Sequence, residues 1–300
     1  MRRITWWRSA AKPFQALPLL QDGAAEHFAF SDEELALACA SHSSEPCHLE
    51  VVSRLMARLG FSDKDLSCGV HTPLSPAVAL AVARGEAVPS ARWSNCSGKH
   101  AGMLALARHH EWPTRGYNAA GHPVQDRILA EVARWSGVPA SQVAQSVDGC
   151  TAVCFGLPLR AMALAYARLG ASGEAEPRRI VAAMSAHPLL VAGSGRLCTD
   201  LMFAWPGQVI SKVGAEGIYC AALPALALGV ALKVEDGETR AAGVALLEVL
   251  ERLLARVAPG QGPDFRAAEL ARHGRQALFN TRGTATGEVR VAGSLRFLAA

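Results

Sequence analysis

A serine and a lysine that could act together lie three positions apart near the start of the chain, at Ser9 and Lys12. On one turn of a helix this spacing places both side chains on the same face. A lysine that burial has deprotonated could take the proton of the serine hydroxyl and turn its oxygen into a nucleophile, which an arginine could not do. Taken alone, the pair also fits a capped helix with a solvated lysine.

A second hydroxyl and a second lysine follow at Ser41 and Lys212. Ser41 opens a hydroxyl-rich loop, and Lys212 ends an alternating, β-branched segment just before a glycine-containing turn. Serine acyl enzymes that carry an S-x-x-K motif combine a helix-borne serine and lysine with a loop serine and a strand-end lysine. The order of these parts therefore predicts nucleophilic catalysis by serine. His42 and Glu45, in the same loop, are interpreted as hydrogen-bonding groups that order it.

Two cysteines and a further lysine have the character of metal ligands. Cys96 and Lys99 are spaced like the ends of a metal-binding knuckle whose second cysteine is a lysine, and Cys150 follows a glycine. Two thiolates with one or two nitrogen or water ligands suit zinc. A lysine ligand must lose its proton, which coordination can enforce. The spacing alone leaves open that these are two free cysteines in loops.

Composition limits the function classes. The 300 residues suit one large domain or two lobes that share a core, half of them are hydrophobic, and the formal net charge is +4 with arginines scattered singly. A nucleic-acid-binding protein would need a basic stripe, so this class is excluded. The longest apolar stretch, residues 218–232, is too short to span a bilayer and contains Pro224 and Gly229, so we expect a buried helix there. Eight cysteines without a signal peptide predict a reducing, cytoplasmic location.

Hydrophobic periodicity predicts a mixed α/β chain with many helices and few strands. Helical spacing covers residues 32–40, 49–59, 124–135, 161–169 and 240–257. Strands are expected at residues 207–213 and 287–291.

The blocks RSAAKPFQALPL, ASHSSEP, SNCSGKHAGM, DGC and SKVGAEG, in this order, resemble the thermolabile, rhizobial-type L-asparaginase family, also called asparaginase II. The resemblance implies an α/β (α+β) fold akin to serine β-lactamases and glutaminases, with an antiparallel sheet flanked by helices and an all-helical region. It implies one asparaginase domain over residues 1–300, with two lobes possible. It also implies hydrolysis of L-asparagine to aspartate and ammonia by a homodimer.

The resemblance carries roles over to particular residues. The residues matching its two serine–lysine pairs are Ser9 with Lys12 and Ser41 with Lys212. The residues matching its zinc ligands are Cys96, Lys99 and Cys150. The residues matching its substrate pocket are Arg8, His100 and Asp148. By charge, Arg8 would bind the substrate α-carboxylate and Asp148 its α-ammonium. Family members carry a longer segment before the Arg-Ser-x-x-Lys block, so we expect N-terminal strands of the sheet to be missing here.

The expected mechanism is acyl transfer. Ser9, deprotonated through Lys12, would attack the side-chain amide and form a β-aspartyl ester. Ser41 and Lys212 would relay a proton to ammonia and later activate water, although Ser41 is the alternative nucleophile. Zinc would shape the pocket and not activate the nucleophile.

Three other functions remain as alternatives. A glutaminase is the nearest, because one methylene is worth only about 1–3 kcal/mol in a shaped pocket. A penicillin-binding or β-lactamase role has no place for the cysteine–lysine knuckle. A non-catalytic zinc protein would leave the two serine–lysine pairs idle.

Overall fold

The computed structural model describes residues 3–293, in which helices dominate. The helices are α1 (Lys12–Gln21), α2 (Ala24–His27), α3 (Asp32–Ala38), α4 (Pro46–Arg58), α5 (Pro76–Ala83), α6 (Ser97–His109), α7 (Pro123–Ser136), α8 (Leu159–Ala171), α9 (Ala175–Ala186), α10 (Pro188–Val191), α11 (Leu197–Ala204), α12 (Thr239–Val257) and α13 (Ala268–Ala271). The strands are β1 (Ile4–Trp6), β2 (Ala144–Val147), β3 (Val153–Pro158), β4 (Ile210–Val213), β5 (Ile218–Leu223), β6 (Leu228–Lys233), β7 (Gln276–Phe279) and β8 (Ala285–Val289).

The strands form three small antiparallel sheets, in the orders β1-β3-β2, β4-β5-β6 and β7-β8. Between the start of α1 and the end of α7 the described chain is helical without a strand. The predicted α/β (α+β) class, with helices, antiparallel strand pairing and an all-helical region, is confirmed, although the strands form three small sheets where one sheet was expected. Within residues 3–293, no helix is both long and apolar enough to cross a membrane.

Helix α1 lies at the centre of the helical region, and this position explains how it can bury a lysine. Its residues from Lys12 to Leu20 are buried on every side of the helix. It packs against α6, α7, α3 and α9. A helix that is apolar all round belongs inside a protein, so Lys12, at its first position, is carried into the core with it.

The expectation of one buried helix over residues 218–232 is wrong, because this stretch forms the β5–β6 hairpin. The chain reverses through a turn that starts at Pro224 and ends at Ala227, whose φ of 49° is left-handed. All six residues of β5 are buried, so no polar alternation marks the strand in the sequence. Gly229 lets α8 pack closely on β6, since a Cβ there would lie 1.9 Å from the carbonyl oxygen of Ala163.

The other element predictions are close to the structure. The five predicted helices correspond to α3, α4, α7, α8 and α12, with ends that differ by a few residues. The strand predicted at residues 207–213 begins three residues later, as β4, and the last predicted strand overlaps β8. At the N-terminus, β1 pairs with β3. The single-domain organisation and the missing N-terminal strands stay predictions.

Candidate active site

The centre of the site is the Ser41 hydroxyl, which lies between two buried lysines. The Ser41 Oγ is 2.8 Å from the Lys212 Nζ and 3.1 Å from the Lys12 Nζ. Both lysines have no exposed surface, and Ser41 is 3% exposed. The structure therefore brings three of the four predicted catalytic residues into one hydrogen-bonded cluster, from segments far apart in the chain.

Backbone oxygens fix both lysine side chains. The Lys12 Nζ also donates to the carbonyl oxygens of Ala40 and, at 3.2 Å, Asn95. The Lys212 Nζ donates to the carbonyl oxygen of Val213 at 2.8 Å. Because each amine is held by at least one carbonyl in addition to Ser41, neither lysine depends on the serine for its position.

Burial and charge repulsion make Lys212 easier to deprotonate than an ordinary lysine. Burial, followed by the charge of Lys12, lowers the pKa of Lys212 from 10.5 to about 7. A buried amine next to a second amine is favoured in its neutral form, since two ammonium groups in a low-dielectric interior repel. Lys212 can therefore accept a proton from Ser41 near neutral pH, which a solvated lysine cannot do.

Ser9 belongs to the turn just before α1, whose first residue, Lys12, is part of this cluster. It is partly buried in the 3-10 turn Arg8–Ala11 that leads into α1. Among residues 3–293 its hydroxyl has no hydrogen-bond partner, and the Lys12 amine points to Ser41 instead. The buried hydroxyl of Tyr166 donates to the carbonyl oxygen of Ala10 at 2.7 Å and so holds this turn. The roles given to Ser9 and Lys12 as a pair stay predictions.

Arg8, one of the residues predicted to line the substrate pocket, binds two carboxylates. Its Nε lies 2.9 Å from the Asp148 Oδ1, and its Nη1 donates to Glu216. Asp148 also accepts the backbone N–H of Gly149 at 2.8 Å. The sequence alone does not single out Glu216, although it stands in the SKVGAEG block. An arginine beside an aspartate is complementary to the carboxylate and ammonium of an α-amino acid.

The three predicted metal ligands also come together, around Cys150. The Lys99 Nζ is 3.0 Å from the Cys150 Sγ. Interaction with the neighbouring Cys96 thiol, followed by the charge of Lys99, lowers the pKa of the Cys150 thiol in spite of its burial. The same interaction, followed by burial, raises the pKa of Cys96, whose Sγ donates to the Asn95 Oδ1 at 3.0 Å. Although burial lowers the pKa of Lys99, the charges of Cys150 and Cys96 outweigh it and raise that pKa.

The donor set fits a zinc ion. The Cys96 and Cys150 sulfurs are zinc ligands in kind, and the Lys99 nitrogen becomes one once it has lost its proton. His100, which follows Lys99, is fully buried, and its Nε2 has no hydrogen-bond partner in the described part of the chain. Its Nδ1 lies 2.7 Å from the Tyr117 hydroxyl. An unpaired buried nitrogen beside this cluster leaves one polar position for an ion or its water to satisfy.

The loop histidine and glutamate have structural partners. The His42 Nε2 is 2.8 Å from the Ser97 Oγ, and its Nδ1 accepts the N–H of Ser44. Glu45 accepts both the N–H and the hydroxyl of Ser194. Burial lowers the pKa of His42, so the ring is neutral. These contacts agree with the interpretation of His42 and Glu45 as groups that order the loop around Ser41.

A second cluster of metal-type donors, Glu45, Cys47 and His48, has ligand atoms within 4.8 Å of one another. The ring nitrogens that would bind a metal already have hydrogen-bond partners. The His48 Nδ1 accepts the N–H of Glu45, and the His48 Nε2 faces the Leu189 carbonyl oxygen at 2.9 Å. This cluster therefore orders the start of α4.

The sequence matches the model of a known protein family. The sequence model described as L-asparaginase II matches residues 1–291, which is nearly the whole chain. No curated protein matches the sequence. With a match of this extent, the chain belongs to the L-asparaginase II family.

Proposed function

We propose that this member of an amide-hydrolase family is an L-asparaginase, which converts L-asparagine to L-aspartate and ammonia through a serine ester. The observation that supports the proposal is the Ser41 hydroxyl between Lys12 and Lys212, both fully buried. A serine hydroxyl next to a lysine whose pKa lies near 7 is the arrangement that general-base activation requires. A zinc protein without catalysis would have no use for two buried amines.

In the proposed reaction Ser9 is the nucleophile. Within residues 3–293 its hydroxyl has no hydrogen-bond partner, and the residue is partly exposed. It follows Arg8 in the chain, and Arg8 would hold the α-carboxylate of the substrate. The Ser9 oxygen forms a bond to the side-chain amide carbon and its proton passes to the buried lysine–serine cluster. That proton goes on to the leaving nitrogen as the C–N bond breaks, and ammonia departs.

Hydrolysis of the ester uses the same groups in reverse. A water molecule gives one proton to the neutral amine of Lys212 through Ser41, and its oxygen attacks the ester carbon. The bond to Ser9 then breaks and the proton returns to the serine oxygen, which leaves aspartate. Ser41 thus relays protons, and Lys212 stores one between the two halves of the reaction.

Trapping separates this assignment from the alternative in which Ser41 is attacked. The purified chain is incubated with a reactive asparagine analogue that forms a stable ester, and the modified peptide is identified by mass spectrometry. An adduct on the peptide containing Ser9 supports the proposal. An adduct on Ser41 in the wild-type enzyme, or an adduct that persists in the Ser9→Ala variant but disappears in Ser41→Ala, contradicts it.

The proposed zinc ligands are Cys96, Lys99 and Cys150. A bound ion would supply a fixed positive charge that orders this loop and lowers the pKa of the groups that contact it. Asp148 and His100 lie beside these ligands in the chain, so ion binding would fix where both side chains point. We expect chelation to raise the KM for asparagine more than it lowers kcat. An unchanged KM in the chelated enzyme would refute this role.

Glutaminase activity remains the second candidate, because the structure around Arg8 and Asp148 is complementary to the α-amino acid group that asparagine and glutamine share. Steady-state rates on both amides decide between them. We expect kcat/KM for asparagine to be higher, by about the 10- to 200-fold that one methylene provides in a fitted pocket. The thermolabile, rhizobial-type subgroup is proposed on the sequence blocks described above.

A homodimer is proposed from helix α5. The eight residues Pro76–Ala83 are all apolar and none of them is buried, with Leu80 50% exposed. An apolar helix on the surface is typical of an interaction site. Sedimentation of the wild-type chain and the Leu80→Glu variant tests this: we expect a dimer that the variant weakens. A monomeric wild-type chain at micromolar concentration would contradict it.

A further inference from the structure

Arg8 is bound on two sides by carboxylates that differ sharply in how they are held. Asp148 has 11% of its side chain exposed and is tied both to the Arg8 Nε and to the N–H of Gly149. Glu216 has 56% of its side chain exposed, and within residues 3–293 its carboxylate has one partner, the Arg8 Nη1. Of the two carboxylates, Glu216 is therefore the one that can leave Arg8 and be solvated.

The backbone conformation and the packing of two neighbouring segments bring Arg8 and Glu216 together. Arg8 and Glu216 are both non-glycine residues in the left-handed region, with φ of 53° and 59°. Glu216 lies in the turn between β4, which carries Lys212, and β5. The carbonyl oxygen of Trp7 would lie 3.1 Å from a Cβ added at Gly214, so this turn is packed directly against the segment that carries Arg8. Left-handed backbone at non-glycine residues is uncommon and clusters at functional sites.

We propose that Glu216 is a specificity-determining residue, whose carboxylate occupies the position on Arg8 that the α-carboxylate of the substrate takes over. This inference rests on the proposed function, since it assigns the substrate α-carboxylate to Arg8. Binding then exchanges one carboxylate for another, while Asp148 stays in place and remains available to the α-ammonium. A ligand without an α-carboxylate has nothing to exchange and leaves the Arg8–Glu216 ion pair intact.

The exchange has a measurable size. A partly exposed ion pair contributes about 0.2–1 kcal/mol, and a tenfold change in an equilibrium constant corresponds to about 1.4 kcal/mol. Removal of Glu216, the internal competitor, should thus strengthen binding of an α-carboxylate by about 1.4- to 5-fold. The KM for asparagine should fall by that factor, whereas kcat should not change, because Glu216 would be absent from Arg8 once the substrate is bound.

The test uses the full-length variants Glu216→Gln and Glu216→Ala, with Glu235→Gln as the matched control. Glu235 is another exposed glutamate in an ion pair with an arginine, Arg3, and it does not contact Arg8. We expect KM for asparagine, and the calorimetric Kd for L-aspartate, to fall in both Glu216 variants and to stay unchanged in the control. A KM that rises or does not change in the Glu216 variants overturns the proposal. So does a loss of kcat and melting temperature without a fall in KM, which would make Glu216 a structural residue of the turn.

Two further measurements test the exchange at Arg8 itself. β-Alanine is L-aspartate without its α-carboxylate, so its binding should not tighten in the variants. Equal tightening of β-alanine and L-aspartate would show a general electrostatic effect and overturn the exchange at Arg8. The Kd for L-aspartate is measured without turnover. A wild-type chain that releases no ammonia from asparagine would therefore refute the proposed function and still leave the role of Glu216 decided by binding.

Discussion

The lowered pKa of Lys212 predicts both the pH dependence of the reaction and the effect of replacing the residue. The pKa falls from 10.5 to about 7 because of burial and the nearby charge of Lys12. This lowering of the pKa by about 3.5 corresponds to about 5 kcal/mol against the ammonium form. With an ordinary pKa only about one Lys212 side chain in 3,000 would be neutral at pH 7, whereas with the lowered pKa about half are.

The pH profile of kcat/KM is the assay, because it reports the ionisation of the free enzyme. If Lys212 is the base, kcat/KM rises with pH, reaches a plateau above about pH 8, and at pH 6 is about tenfold below the plateau. Buried histidines near the cluster do not titrate in this range. Burial lowers the pKa of His100 to about 4 and that of His42 well below its ordinary value. A flat profile between pH 6 and 8 would refute the reasoning.

Replacement by arginine keeps the positive charge and removes the ability to lose a proton. Lys212→Arg should therefore lower kcat by about 10²- to 10⁴-fold, which is the range that general-base catalysis contributes. The residual rate should no longer depend on pH between 6 and 8. Wild-type turnover in this variant would show that Lys212 is not the base.

Replacement of Lys212 by an apolar residue should raise stability although it abolishes the base. Between pH 7 and 10.5 the unfolded chain keeps a proton on Lys212 that the folded chain has lost, so the stability contributed by this residue rises with pH. At pH 7 and below, burial of the Lys212 ammonium group costs the folded protein the full amount of about 5 kcal/mol.

Lys212→Met removes that cost and also two hydrogen bonds of about 1 kcal/mol each. In urea denaturation we expect it to stabilise the protein by about 3 kcal/mol at pH 7 and by less at pH 9.5. A variant less stable than the wild type at pH 7 would contradict this.

Two predictions concern the elements that hold the site. Tyr166→Phe removes the buried hydrogen bond to Ala10 but keeps the ring, so chemical denaturation should show a loss of about 1–3 kcal/mol, and an unchanged stability would argue against this contact. Gly98→Ala would place a Cβ 2.3 Å from the backbone oxygen of Leu37, so we expect a loss of about 1–3 kcal/mol or more. Gly102→Ala, one turn further along the same helix, meets only the end of a leucine side chain at 2.9 Å and serves as the matched control, which should be near neutral.

Much of the fold can be predicted from the sequence, because the long helices are amphipathic and keep their period of 3.6 residues. Helices α7 and α12 agree with the predicted bounds to within one residue. The β5–β6 hairpin could not be predicted in this way, since its residues are mostly apolar on both faces and rich in alanine and leucine. In a segment buried on both faces, periodicity does not distinguish strand from helix. Only the turn at Pro224 separates the two strands.

The candidate site shows where residue spacing stops being informative. Spacing along the chain pairs Lys12 with Ser9, three residues away, but the Lys12 amine contacts Ser41, which is 29 residues away. A buried amine forms hydrogen bonds with the oxygens that lie within its reach in the folded chain. For Lys12 these oxygens belong to the loop before α4 and to Asn95. The role of Glu216 could not be predicted, because no sequence pattern distinguishes one exposed glutamate in a turn from another. Its contact with Arg8 joins residues 208 positions apart and is visible only in the structure.

The structure also predicts how Lys99 differs from Lys12 and Lys212 in its protonation. Lys12 and Lys212 share a neutral serine, whereas Lys99 contacts the Cys150 sulfur, whose negative charge stabilises the ammonium form. To bind zinc, Lys99 must therefore lose a proton that the nearby cysteines stabilise. Cys96, whose pKa is raised, must lose a second proton.

Zinc binding at pH 7.5 should accordingly release about two protons per ion. Calorimetric titration of the chelated protein in buffers of different ionisation enthalpy measures this number directly. Lys99→Met, in which the ligand carries no proton, is the matched variant and should release about one proton while it binds zinc more weakly. Release of fewer than about one proton by the wild-type chain, or the same number from both proteins, would mean that Lys99 keeps its ammonium form beside the metal and is not a ligand.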